Sequence, residues 1–235
     1  MRLVVLASIL LSLSCTKGAP SGDPAAAKKA AALTEQAYAF KRDGQNGKAL
    51  AVLEQAAALL EPGGRDFASN LDDRATLELR LGRSYEAKRL YDRSLAILRT
   101  PGSVAGDLAS GVAFRRRIAD ALADAGVRCS EPPEPRADAT LPYFPAIDAV
   151  QRGLGKLGPS IAHCLATPAK PVTVTLVVTG DGRIVLIETP GQLAGTPAEA
   201  CIREGAAKAA TVLALPAFGA CFRPFNVPFR IGKES

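Results

Sequence analysis

The sequence predicts a multidomain fold in which an all-α part, built of helical hairpins, is followed by a small α+β part. Three observations predict it. Apolar and small residues recur at helical spacing between about residues 26 and 126. Prolines then crowd the stretch CSEPPEPRADATLPYFP, where they disfavour a helix and favour an extended chain. Beyond it, two β-branched runs flank a Gly-Asp-Gly turn, which is the pattern of a β-hairpin.

The first residues have the pattern of a secretory signal. Arg2 provides a positive start, and Leu3 to Leu13 form an apolar run that is too short to cross a bilayer. Small residues precede Cys15, where cleavage is expected. We therefore expect residues 1–14 to be removed as a signal peptide. Residues 15–25 are small, polar and contain proline, so we expect a flexible tether.

This start resembles the signals of bacterial lipoproteins, in which a cysteine follows a short apolar run and small residues. The resemblance implies that the Cys15 thiol carries a diacylglyceryl group and that lipid anchors the protein to a membrane. It places the chain in the cell envelope, facing the periplasm, at the outer membrane. Ordinary cleavage after Ser14 is the alternative, because Ser12 stands where that family prefers an aliphatic residue.

The composition is that of a globular protein with one or two modest cores, since 48% of the residues are hydrophobic and 22% are charged. The net charge of +6 is spread along the chain, and its one dense run is Arg115 to Arg117. Little aromatic sequence accompanies that run, so we interpret it as a solvated helix face and expect no nucleic-acid partner.

The segment 26–126 is predicted to form paired helices. A bulky residue followed by a small one four positions later recurs around two glycine turns, and a further helix is expected from Val104 to Ala125. The recurring positions are Leu33, Ala37, Phe40, Ala49, Leu53, Ala56 and Leu60, with Gly44 and Gly47 at the turn, and then Leu71, Ala75, Leu79, Ala87, Tyr91 and Leu95, with a turn near Gly82. This pattern resembles tetratricopeptide repeats. A generic bundle of helical hairpins is the alternative, because Ala49 and Ala87 are spaced too widely for the repeat and no tryptophan is present.

Residues 127–140 are predicted to be a proline-rich linker, and residues 141–235 a second domain. Its elements are predicted in the order helix, two-stranded hairpin, helix, strand. The first helix lies within AIDAVQRGLGKLGPSIAHCL and is broken by glycines, and the hairpin is VTVTLVVTGDGRIVLIET. Thr196 and Glu199 form a capping box that opens the next helix, and Pro228 confines the last strand to an edge or a bulge.

This order resembles a TonB-like C-terminal domain, and more narrowly the C-terminal domain shared by AgmX/PglI-type proteins of myxobacteria. The positions that match that family are Cys164, Asp181, Gly182, Cys201, Pro228 and Phe229. The resemblance implies a small domain that works by contacts with other envelope proteins, in a gliding or secretion-like machine. The chain departs from the family after Cys164 and before the last strand, which leaves the choice of partner open.

Catalytic, cofactor and metal sites are not expected. The only histidine is His163, and neighbours on a helix point about 100° apart, so His163 and Cys164 are not expected to work as a pair. We interpret His163 as a surface residue. No Cys-x-x-Cys motif or histidine cluster provides metal-ligand spacing. TGDG is interpreted as a hairpin turn, and GLGKLG lacks the context of a phosphate loop.

The cysteine count is odd, and Cys15 is expected to be consumed by lipid, so four cysteines remain in an oxidising compartment. Four cysteines allow three pairings. In that family the two helices of the domain cover the same face of the sheet, so their ends can come within disulfide reach. The resemblance therefore implies a disulfide between Cys164 and Cys201. Cys129 and Cys221 would pair as an addition to the family pattern. Buried free thiols are the alternative, chiefly for Cys129 and Cys221.

Taken together, these features predict a lipid-anchored scaffold or adaptor that binds other envelope proteins through its helical repeats and its TonB-like domain. A partner strand could extend an open sheet edge of that domain. The expected contacts are with envelope proteins and, through the lipid, with the membrane, and no small-molecule substrate is expected. The alternative is a charge-driven module that binds peptidoglycan or another anionic envelope polymer.

Overall fold

The fold is α+β, with helices and one small antiparallel sheet. The computed structural model describes residues 23–100, 106–132, 141–143, 145–164, 172–189, 191–210 and 215–229. The predicted signal peptide, Cys15 and most of the tether lie outside these residues, as does most of the predicted linker. Within them, no helix combines the length and the apolar character needed to cross a membrane.

Residues 23–100 and 106–132 contain five helices, and a short turn makes the two helices of each hairpin antiparallel. The first hairpin is made by α1 and α2, the second by α3 and α4, and α5 packs against the second. Their bounds are Pro24–Arg42, Asn46–Ala57, Arg65–Arg80, Ser84–Leu98 and Gly106–Asp124. Gly47, expected in a turn, lies in the first turn of α2, and Leu60 lies beyond the end of that helix.

The first helix begins inside the segment predicted to be tether. Asp23 caps it, because an oxygen of its carboxylate accepts a hydrogen bond of 2.9 Å from the backbone N–H of Ala25. Pro24 occupies the first helical position, where a missing N–H costs nothing and the fixed φ suits a helix. A cap and a proline therefore start α1 earlier than the apolar pattern alone predicts.

Alanines at the predicted small positions let these helices approach closely. Ala49 and Ala87 are completely buried, and so is Ala75 on α3. Around them lie two cores: one joins α1, α2 and Leu77, and the other joins α3, α4 and α5. The spacing of bulky and small residues thus identified the buried faces of both hairpins.

The described residues of the second part form three α-helices, a short 3-10 helix at Gly191–Leu193 and three strands. The helices are α6, α7 and α8, and the central strand β1 pairs antiparallel with β2 on one side and with β3 on the other. The bounds of the helices are Ile147–Gly155, Gly158–Ala162 and Pro197–Ala210, and those of the strands are Val172–Thr179, Ile184–Glu188 and Phe222–Phe229. The break between α6 and α7 falls within the glycine-rich stretch, as predicted.

Strand β1 explains how the two parts meet. Its first half alternates valine and threonine because only one face is covered, whereas Leu176, Val177 and Val178 are all buried because both faces are. Leu176 and Val178 pack with α6, α7 and α8, while Val177 belongs to the core of α3, α4 and α5. The sheet therefore lies between two groups of helices.

The Gly-Asp-Gly turn joins β1 to β2, as predicted. The N–H of Gly182 donates to the Thr179 carbonyl at 2.8 Å, and Gly182 has a φ of +83°, a conformation that favours glycine. The Asp181 carboxylate accepts from the Thr179 hydroxyl and, at 2.7 Å, from Arg183 Nε. Burial raises the pKa of Asp181, but these two donors together lower it more. The carboxylate therefore serves the turn.

The capping box of α8 differs in one detail from the prediction. The N–H of Glu199 donates to the Thr196 hydroxyl at 3.3 Å, as expected. The Glu199 carboxylate, however, accepts from the N–H of Gly195 at 2.7 Å, one residue before the expected donor. Arg203, one turn later on α8, donates to the same carboxylate at 2.9 Å.

The described start of the predicted linker, residues 127–132, is not a free spacer. Cys129 and Glu131 are each only 7% exposed, and Cys129 belongs to the core of α3, α4 and α5. Residues 127–132 pass close to the turn after α3. An added Cβ at Gly82, in that turn, would lie 2.6 Å from the Cys129 carbonyl oxygen. Cys129 and Glu131 are thus packed into the fold, and residues 133–140 of the predicted linker lie outside the described part.

Candidate functional site

Two disulfide bonds organise the cysteines, and they join the pairs expected from the sequence. Cys164 is bonded to Cys201, and Cys129 to Cys221. The Cys164–Cys201 bond joins the end of α7 to α8. The second joins the segment after α5 to the start of β3, across a sequence separation of 92 residues. It therefore links the helical hairpins to the sheet covalently.

The only histidine of the chain lies beside the Cys164–Cys201 bond. His163 Nε2 is 3.7 Å from the sulfur of Cys164 and 3.5 Å from the sulfur of Cys201. The prediction that His163 and Cys164 point apart does not hold for His163 Nε2 and the Cys164 sulfur, which lie 3.7 Å apart although His163 keeps helical backbone angles at the end of α7. His163 itself is exposed, as predicted.

The three residues form a possible ligand cluster that sequence analysis missed. One nitrogen and two sulfur atoms, from His163, Cys164 and Cys201, lie within 4.8 Å of one another. No short sequence motif indicates the cluster, because Cys201 lies on α8, which packs against the end of α7 only in the folded chain. The presence of a single histidine next to a cysteine was the one available clue.

A buried network of polar side chains, here termed the polar seam, lies where the helices meet the sheet. It consists of Asn46, Arg80, Glu131 and Tyr143. Arg80 Nη1 is 3.0 Å from Glu131 Oε1 and 3.0 Å from the Tyr143 hydroxyl oxygen. The other carboxylate oxygen of Glu131 accepts from Asn46 Nδ2 at 2.9 Å and from the Tyr143 hydroxyl at 2.7 Å.

The polar seam also holds the start of β3. Arg80 Nη2 donates to the Phe222 carbonyl at 3.3 Å, and its guanidinium lies 4.9 Å from the centre of the Phe222 ring. The backbone N–H of Cys221 donates to Glu131 Oε1 at 2.5 Å. Buried charges require such partners, and here the partners come from α2, α3, the segment after α5 and β3.

The phenol of Tyr143 stays neutral inside this network. Burial, together with the nearby Glu131 carboxylate, raises the pKa of Tyr143 to about 12, while the Arg80 guanidinium acts in the opposite direction. The neutral phenol can both donate to Glu131 and accept from Arg80. Tyr143 therefore acts as a structural connector.

The arginine run of α5 is engaged in ion pairs with three different elements. Arg115 forms two bonds with the Asp72 carboxylate of α3. Arg116 Nε lies 3.2 Å from the Asp92 carboxylate of α4, and Arg117 Nε lies 2.7 Å from the Glu188 carboxylate of β2. The interpretation of a solvated face is thus only partly right, since the run holds α5 to its neighbours.

A cleft of about 600 Å³ opens beside the polar seam. Its walls come from residues 127–132, from the hairpin turn and from the loop before β3, with Val127, Leu141 and Phe218 among its apolar lining. Its two carboxylates, those of Glu131 and Asp181, already accept hydrogen bonds within the protein. The two acidic side chains of the cleft are therefore already used in bonds within the protein.

The outer edge of β3 is poorly suited to adding a strand, and one carbonyl of β2 is already occupied. On β3, Pro224 and Pro228 pair with Val177 and Thr173 of β1, and because proline lacks an N–H the outer edge loses two donors. On β2, the Ile187 carbonyl accepts from Arg203 Nη1 at 2.8 Å. Prolines and a covered carbonyl are common protections of exposed edges.

Comparison with known proteins identified no relative. No family model matches the chain, and searches of the curated proteins and of the solved structures found no match. The resemblances to tetratricopeptide repeats and to TonB-like domains therefore stay predictions from the sequence.

Proposed function

We propose that the protein is a lipid-anchored scaffold or adaptor of the cell envelope that binds another envelope protein through its helical hairpins. The observation that carries this proposal is the stacking of two antiparallel helical hairpins and a closing helix on closely packed alanines. Stacked hairpins of this kind present an extended surface made of several helices, which is the way helical-repeat scaffolds bind proteins. In this proposal the hairpins are tetratricopeptide-like repeats, and residues 141–235 form a TonB-like domain.

The protected outer edge of β3 refines this proposal. Strand addition needs a row of unoccupied backbone groups, and β3 offers prolines at two outward positions. We therefore place the partner contact on the helices. The membrane attachment is proposed at Cys15, outside the described residues, because its sequence context resembles a lipoprotein signal.

The charge-driven alternative is less favoured by the described residues. Binding to an anionic polymer needs basic side chains that are available to it, and the densest basic run is paired with Asp72, Asp92 and Glu188. Salt distinguishes the two functions, because binding governed by charge weakens steeply at physiological ionic strength, whereas binding governed by side-chain packing persists.

Anchoring is tested by replacing Cys15 with serine. The Cys15→Ser variant should leave the membrane fraction and appear in the soluble periplasmic fraction, because it lacks the thiol that would carry lipid. Wild-type protein should stay with the membrane through a high-salt wash. A Cys15→Ser variant that remains membrane-bound after that wash contradicts the anchor.

Partner binding is tested by photocrosslinking in cells. A photoreactive residue at Tyr85, which is 80% exposed at the start of α4, should capture a discrete protein adduct. The matched control is the same residue at Arg152 on α6, whose side chain is 74% exposed. Capture that is equal at the two positions, or that vanishes between low and physiological salt, contradicts the proposed helical surface.

A further inference from the structure

The two disulfides of this protein have different surroundings. Cys129 is 7% exposed and lies in the core of α3, α4 and α5, and its partner Cys221 is half-buried. Cys201 is also half-buried, and it stands next to the exposed His163. Of the two bonds, Cys164–Cys201 is the one that has an imidazole nitrogen within 3.7 Å of both its sulfurs.

We propose that reduction of the Cys164–Cys201 bond creates a site for a thiophilic divalent cation, with Zn²⁺ as its natural class of ligand. In the reduction, a dithiol gives two electrons to the bond and becomes a disulfide, and its two protons pass to the sulfurs of Cys164 and Cys201. When the cation binds, both thiols release their protons to solvent. His163 contributes Nε2 in its neutral form.

The positions of the three atoms fit such a centre. In a tetrahedral zinc site, with Zn–S of about 2.3 Å and Zn–N of about 2.0–2.1 Å, the nitrogen and each sulfur are separated by roughly 3.6 Å. His163 Nε2 lies 3.5 and 3.7 Å from the two sulfurs. The imidazole is therefore already in place, and binding requires only that the freed sulfurs separate to roughly 3.8 Å.

The proposed site is three-coordinate from the protein and leaves a fourth position for water or another ligand. Because the bond and the metal use the same two sulfurs, the oxidised and metal-bound states exclude each other. The cluster is thus a site that a reducing environment opens and an oxidising one closes. This inference does not depend on the proposed scaffold role.

Cobalt titration tests the site. The full chain carrying Cys15→Ser is treated with a dithiol until mass mapping shows that Cys164 and Cys201 are free, and Co²⁺ is then added without oxygen. We expect one equivalent to bind with a thiolate-to-cobalt charge-transfer absorption, and Zn²⁺ to displace it. The oxidised protein should show no such absorption.

Matched variants decide the assignment. His163→Ala keeps both sulfurs and should weaken cobalt binding by more than about tenfold, since even outer partners of metal ligands carry that much affinity. Cys164→Ser should abolish the charge-transfer absorption, while the double variant Cys129→Ser, Cys221→Ser should retain it. The double variant also shows whether the site survives without the second disulfide.

Two outcomes overturn the proposal. The first is a reduced protein that binds no more cobalt than the oxidised one. The second is unchanged affinity in His163→Ala, which is also the result expected if reduction merely unfolds the chain and exposes thiols.

Discussion

Arg80 shows how much of this structure depends on a single buried side chain. It is 6% exposed at the last position of α3, and its guanidinium contacts a carboxylate, a phenol, a carbonyl and an aromatic ring. Burying an ion pair costs several kcal/mol of desolvation, which the pair offsets only when further hydrogen bonds surround it. Glu131 meets that condition with donors from three other residues.

Replacing Glu131 with glutamine should therefore be costly. The Glu131→Gln variant keeps the side-chain size but removes the negative charge that faces Arg80 in a buried site. We expect its free energy of unfolding, measured by urea denaturation, to fall by about 3–5 kcal/mol.

The matched control is Glu86→Gln. Glu86 pairs with Arg89 at 2.9 Å on the surface of α4, where both side chains are about half exposed. That change should alter stability by less than about 1 kcal/mol. Similar effects of the two substitutions would contradict the role assigned to the polar seam.

Tyr143 provides a pH-dependent test of the same network. Removing its hydroxyl in Tyr143→Phe should lower the free energy of unfolding by about 1–2 kcal/mol at neutral pH, since its part-buried hydrogen bonds to Glu131 and Arg80 are lost. The pKa of Tyr143 is raised from 10.0 to about 12 by burial and by the nearby Glu131. The folded protein thus holds the proton after the unfolded chain has released it.

The sign of the pH effect follows. Stabilisation by the neutral phenol is complete below pH 10, the unfolded pKa, and is lost as the pH rises towards 12. The stability difference between wild type and Tyr143→Phe should accordingly shrink as the pH is raised above 10. Tyr85→Phe, at an 80% exposed side chain, should change stability little at neutral pH. A difference that grows above pH 10 would contradict the assignment.

At the scale of single elements, local patterns in the sequence predicted most of what the structure contains. Both helical hairpins, the broken helix before the sheet, the Gly-Asp-Gly hairpin and the helix opened by Thr196 depend on interactions between near neighbours. The proximity of His163 to Cys201 could not be predicted, because Cys201 lies on α8, 38 residues further along the chain.

Helix α8 contains a glycine whose small size is required by its neighbour. An added Cβ at Gly205 would clash with the Ser160 carbonyl oxygen, so α7 and α8 meet directly at this point. Alanine normally stabilises a helix interior relative to glycine by roughly 0.5–1 kcal/mol. Gly205→Ala should instead destabilise the protein, as measured by urea or thermal unfolding.

Gly155 at the end of α6 supplies the matched control. An added Cβ there would meet no heavy atom within 4 Å, and Gly155 does not have a positive φ. Gly155→Ala is therefore expected to keep the stability or to raise it by up to about 1 kcal/mol. Stabilisation by both substitutions would mean that α7 and α8 are less closely packed than described.

At the scale of the whole molecule, the sequence was least informative. The helical hairpins contact the sheet through pairs of residues that lie far apart in the chain, such as Arg80 with Phe222 and Arg117 with Glu188. The sequence around each of these residues does not indicate which residue it will contact. A proline-rich stretch predicts an extended chain, but it does not predict that the residues before it are buried.

The Cys129–Cys221 bond predicts how cleaved protein behaves. A tryptic cut after Arg136, in the part of the linker outside the described residues, would separate the chain into two fragments. They should stay together on a denaturing gel without reductant, because the bond joins one to the other, and should separate when a dithiol is added.

The double variant Cys129→Ser, Cys221→Ser is the control for this experiment. Its fragments should separate under denaturing conditions with or without reductant. Fragments of the parent protein that separate without reductant would show that the bond is absent.

The arrangement of the two disulfides also has a consequence for how the protein is made. The bonds are nested: Cys164 and Cys201 both lie between Cys129 and Cys221 in the chain. Synthesis therefore delivers Cys129 and then Cys164, which are not partners, while Cys221 follows Cys129 only after 92 residues. An oxidant acting on the chain as it emerges would join the wrong pair. The native bonds thus require either delayed oxidation or a catalyst that exchanges thiols after synthesis.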